Sequence, residues 1–93
     1  VRKTNKTQDG RVTYWVEHTD PEERGNSWSV AGRGVFQFSH EDGTTFSAST
    51  VSKLAYGKTE AHAIKGLERR FLKSLTRVAA LINGAQEQTG ETT

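Results

Sequence analysis

Lys65, Arg69, Lys73 and Arg77 recur at intervals of four residues, with Arg70 beside the second of them. On an α-helix such a row keeps to one side, with rungs about 6 Å apart along the axis. The chemistry open to it is electrostatic, the holding of phosphate or of another polyanion. Lys53 and Lys58 extend the positive charge towards the N-terminus. From Lys53 to Arg77 seven basic residues face only Glu60 and Glu68, a local net of +5 in a chain whose total is +2, so the remainder is acidic at −3. A local excess of this kind attracts phosphate or an acidic surface more than the total suggests.

No comparable set exists for making or breaking bonds. His18, His40 and His62 lie 22 residues apart and have no metal-ligand spacing. The carboxylate pairs Glu22-Glu23 and Glu41-Asp42 fall in stretches that read as turns. Serines and threonines are plentiful, yet none sits in a nucleophile elbow. The expectation is a non-enzymatic protein with no metal and no cofactor. Gly32-Arg33-Gly34 could offer backbone amides and a guanidinium to a phosphate, but no phosphate-loop pattern follows it, and it reads as a junction between strands.

The element that must carry the basic row runs from Thr59 to Gly84. Ile64, Leu67, Phe71, Leu75, Val78 and Ile82 recur at steps of three and four and predict an apolar stripe opposite the cations. Thr59 is a good N-cap, Glu60 suits the positive end of the helix dipole, and Asn83-Gly84 supplies a stop. Gly66 falls on the basic side by its angular position. The helix is roughly 37 Å long and a typical strand spans ~17 to 20 Å, which predicts that Val78, Leu81 and Ile82 lack an intrachain partner and join two copies as a homodimer.

Strands are expected to precede this helix. Arg11 to Thr19 alternates and is rich in β-branched and aromatic residues, and Ser27 to Ala31 follows a polar turn. VFQFSH and TTFSAST flank Glu41-Asp42-Gly43 as a second hairpin. Val12, Tyr14, Val16, Trp28, Val30, Phe36, Phe38 and Phe46 are the candidates for the face that meets the helix. Residues 49–57 are ambiguous between the end of a strand and a short helical turn, with the turn preferred. The fold class is therefore α+β, an antiparallel sheet of three or four strands packed against one long C-terminal α-helix. Residues 1–10 read as a flexible basic arm, 11–84 as a single domain and 85–93 as a disordered tail.

Composition narrows the class. Apolar residues make up 32% of the 93, so the core is small and depends on a few aromatics. The chain has no cysteine, which leaves no disulfide framework, and no apolar run approaches a membrane span. VRKTNKTQDG lacks the apolar centre of a signal peptide, so cytoplasmic residence is expected.

TVSKLAYGK, Thr50 to Lys58, resembles the recognition-helix stretch of LacI-type repressors, which implies a helix-turn-helix entering a major groove; the segment before it reads as a hairpin instead. Strands followed by Tyr56-Gly57-Lys58-Thr59-Glu60 and a helix with Ala63 and Leu67 are similar to HicB-type antitoxins. The element order resembles AP2 domains and certain integrase amino-terminal domains, whose sheet face reads DNA. These likenesses imply binding rather than catalysis. The expected function is that of a small, homodimeric nucleic-acid-binding protein with a regulatory or accessory role, as in transcription regulation, with DNA as the expected target. Lys65, Arg69, Arg70, Lys73 and Arg77 would hold phosphates, with Lys53 and Lys58 at the rim. The alternative is a protein-interaction module such as an antitoxin or inhibitor, which would engage its partner through Phe71, Val78, Leu81 and Ile82 or through a sheet edge.

Overall fold

A computed structural model of the chain describes residues 1–91. Strand β1 spans Arg2–Lys3, β2 Thr7–Asp9, β3 Val12–His18, β4 Glu22–Arg24, β5 Ser27–Ser39, β6 Thr45–Ser49 and β7 Lys53–Gly57, and helix α1 runs from Glu60 to Glu91. The fold is α+β, one antiparallel sheet packed against one long C-terminal helix. All pairings are antiparallel, and the seven segments form four rows: β1 with β2 along β3, β3 with β4 along one edge of β5, and β6 with β7 along its other edge.

Strand β5 is the axis of the sheet. The sequence suggests two strands divided by Gly32-Arg33-Gly34, whereas the structure has one strand of 13 residues passing through them. At about 3.3 Å per residue it spans roughly 43 Å. That length removes the premise that a short sheet must leave the far end of the helix bare.

The glycines are explained by what lies above them. A Cβ on Gly32 would stand 2.3 Å from the Glu17 carbonyl oxygen and 2.8 Å from Leu67 Cδ2, and one on Gly34 would meet the Leu75 side chain at 3.0 Å. The two residues therefore make the seat into which Leu67 and Leu75 settle, and Arg33 between them points to the other face of the sheet.

All three flanking rows break in the same manner. Residues 4–6 oppose two residues of β3, 19–21 oppose two of β5, and 50–52 oppose two of β5 from the other edge. Each break is a one-residue bulge, which bends a strand and increases its right-handed twist. Three such bulges add to the right-handed twist and coil expected of the sheet along β5.

The core follows that coil. Ala63, Leu67, Phe71, Leu75 and Ala79 are buried against Val12, Tyr14, Val16, Val30 and Ala55, with Trp28, Phe36, Phe38 and Ile82 packed at the margin. Every step along the buried helical row is four residues, so the line of contact turns about 40° per step around the helix. Ile64 and Val78, expected as members of the apolar stripe, are only half-buried because the line leaves them on its flanks. Phe46 stacks on Phe38 with ring centroids 5.2 Å apart, yet it stays exposed at the sheet edge.

Four local expectations are corrected. Residues 50–58 contain strand β7 rather than a turn or recognition helix, so no helix-turn-helix forms there. The first ten residues, read as an arm, contribute β1 and β2 to the sheet. Asn83-Gly84 does not end α1, which continues to Glu91 through most of the segment read as a disordered tail; residues 92–93 lie outside the described ones. The Asn83 side chain is instead a tie across the fold: its Nδ2 donates to the Asp9 carbonyl at 3.0 Å, and its Oδ1 accepts from the Arg11 N–H at 3.3 Å. Fourth, Gly66 leaves the basic side and rests beside β7, because the contact line near Ala63 is turned towards it; a Cβ there would lie 3.7 Å from the Tyr56 carbonyl oxygen and 3.8 Å from Ala55 Cβ. The start of α1 forms as expected, with Thr59 Oγ1 accepting from the His62 N–H at 3.1 Å. At the β5–β6 turn, hydrogen bonds from Thr44 hold the Asp42 carboxyl below its ordinary range.

Candidate nucleic-acid interface

Lys65, Arg69, Lys73 and Arg77 follow the buried row by two residues throughout, which places each about 200° around the helix from a core side chain. All four are exposed, as is Arg70. The sheet covers one side of α1 and leaves this side open, so the division read from the sequence is present in the fold. A shallow depression of about 210 Å³ lies on this surface, lined by Lys65, Glu68, Arg69 and Leu72. Leu72 is 54% exposed there, an apolar group among cations. It stands seven residues after Lys65, a spacing that marks it as a neighbour in the bare sequence.

The rim residues sit apart from the row. Lys53 is on β7 with its Nζ 5.5 Å from the centre of the Phe71 ring, and Lys58 is exposed in the turn before α1. Phe71 itself is wholly buried, which removes it from the surface on which a protein partner was expected. Of the three residues assigned to a dimer contact, Ile82 packs on the core of its own chain, Val78 is half-buried and Leu81 is 64% exposed.

Ion pairing separates the cations into two groups. On the sheet side Arg2 pairs with Asp20 at 2.8 Å, Arg11 with Glu41 at 3.2 Å and Arg24 with Glu22 at 3.2 Å. Glu17 takes both Arg33, at 3.2 Å, and Lys3, at 3.9 Å. Among the described residues none of Lys53, Lys58, Lys65, Arg69, Arg70, Lys73 and Arg77 makes an ion pair. Their charge is not neutralised by any carboxylate of the described residues.

Lys6, read from the sequence only as part of a basic N-terminal arm, is the other lysine or arginine without an ion pair among the described residues. It occupies the bulge between β1 and β2, where its Nζ lies 4.9 Å from the centre of the Trp15 ring, with Lys3 at 5.7 Å. Trp15 is buried on the sheet face away from α1, and its Nε1 has no hydrogen-bond partner among the described residues.

Among the described residues no three His, Cys, Asp or Glu side chains gather as metal ligands, and no helix is long and apolar enough to cross a membrane. Searches with the chain and its fold match no family model, no curated protein and no solved structure.

Proposed function

We propose that this chain binds nucleic acid, with DNA as the target, through the outer face of α1, in a regulatory or accessory role. The observation that carries the reading is the pairing pattern among the described residues: five of the six cations outside the 53–77 segment are matched to carboxylates, and all seven within it are unmatched. A helix face that merely meets water gains from alternating charge at steps of four, whereas this one repeats a single sign and accepts the repulsion. Four or five phosphates neutralised along the row give a binding constant that falls with salt at a logarithmic slope of about −4. A homodimer joined through Leu81 and Val78 would double the available contacts.

The test is a charge reversal with a matched control. Arg69→Glu with Lys73→Glu is expected to abolish retention on immobilised DNA. Arg2→Glu with Arg24→Glu changes net charge equally and is expected to leave most of the retention in place. Equal losses from the two variants would show that no localised site exists.

A further inference from the structure

We infer that the ligand of the α1 row is the major groove of duplex DNA, held by the phosphates of both its walls; this rests on the nucleic-acid reading above. The row winds around the helix. Each four-residue step turns about 40°, so Lys65 to Arg77 spread over about 120° of the helix circumference, and Arg70 widens the arc to about 140°. The row is therefore a fan, produced by the same winding that keeps Ala63 to Ala79 on the coiled sheet.

A flat anionic surface meets only the middle of such a fan. A concave one meets both edges. The major groove of B-form DNA is about 12 Å wide, and a helix with its side chains is about 10–12 Å across, whereas the minor groove is about 6 Å wide and the major groove of an RNA duplex is deep and narrow. Along the axis the row covers about 18 Å, which faces roughly five phosphates on each wall.

The composition of the exposed surface points the same way. Single strands are held by aromatic rings on which bases stack. Between Glu60 and Leu81 the sole Phe, Tyr or Trp is Phe71, which is wholly buried, and the one other aromatic ring is the imidazole of His62 in the first turn. The surface offers cations in an arc and a single imidazole in place of a run of stacking rings, which suits a paired, groove-bearing backbone.

Fluorescence anisotropy would test this with a labelled 20-base-pair DNA duplex, each of its separated strands, and an RNA duplex of the same sequence, at one low salt concentration. Duplex DNA is expected to bind at least tenfold tighter than any of the others; the RNA duplex, with similar charge density and a different groove, separates groove shape from charge. Lys65→Gln and Arg70→Gln, at opposite edges of the fan, are each expected to weaken duplex binding at least threefold with the circular dichroism unchanged. Equal affinity for the single strands or for the RNA duplex, or a silent edge of the fan, would overturn the groove while leaving nucleic-acid binding intact. Absence of binding to all of the probes would remove both.

Discussion

Ala63, Leu67, Phe71, Leu75 and Ala79 run along α1 at the same interval as Lys65, Arg69, Lys73 and Arg77, two residues out of step. The first row is buried and the second is in solvent. Both wind around the helix because four residues overshoot a turn of 3.6. A straight sheet could not follow the inner row; the bulged, coiled sheet along β5 does. The comparison teaches that the shape of the sheet sets the shape of the charged surface, since whatever winding the core requires is imposed two residues later on the cations.

The inner row is where the comparison breaks most severely. Phe71 is fully buried between the sheet and the helix, and Phe71→Ala removes its contacts and leaves a cavity, at an expected cost of about 3–5 kcal/mol in urea unfolding. A cost near that of an ordinary surface substitution, about half a kcal/mol, would place the row in water and exchange the roles of the two faces.

Much of this arrangement was legible in the residues, and the exceptions share a cause. The helix, its N-cap, strand β3 and the open basic face all follow from local period and composition. Gly32-Arg33-Gly34 looks like a break because local propensity favours one, and only the Leu67 and Leu75 side chains above it explain the glycines. Asn83-Gly84 looks like a stop for the same reason, yet Asn83 is bonded to Asp9 and Arg11, more than seventy residues earlier. β7 is masked by a composition suited to a helix and is held in place by pairing with β5. In each case a contact distant in sequence outweighs the local signal. The basic row proposed as the site was recognisable by type and spacing as a charged helix face, whereas its freedom from ion pairs among the described residues depends on where the carboxylates of the sheet come to lie.

The flank between the two rows gives a smaller effect of opposite sign. Gly66 has room for a methyl group, with its nearest neighbours at ordinary contact distance. Gly66→Ala is therefore expected to stabilise the fold by up to about 1 kcal/mol, through helix propensity and a less flexible unfolded chain. For a domain of this size that is a rise in melting temperature of about 4–8 °C. A fall would mean that β7 lies closer to the helix than the contact distances indicate.

The smallest effect sharpens the comparison most, because it asks whether the outer row is held against the interest of the fold. The neighbours of Lys73 at three and four residues are Arg69, Arg70, Thr76 and Arg77, so three of the four repel it. Like charges at such spacing destabilise a helix by about 0.2–0.5 kcal/mol per pair, and Lys and Gln have nearly equal helix propensity. Lys73→Gln is accordingly expected to stabilise the free protein by about 0.6 kcal/mol at low salt, the low end for three such pairs, while weakening the proposed binding to DNA. The stability gain should vanish near 1 M salt, where the screening length of about 3 Å is shorter than the distance between rungs. Thermal melts of both proteins across a salt series, paired with binding measurements, would resolve the two effects. A variant that is less stable at low salt would show that Lys73 has a stabilising partner within the fold, and that the row is matched at the residue with the most repelling neighbours.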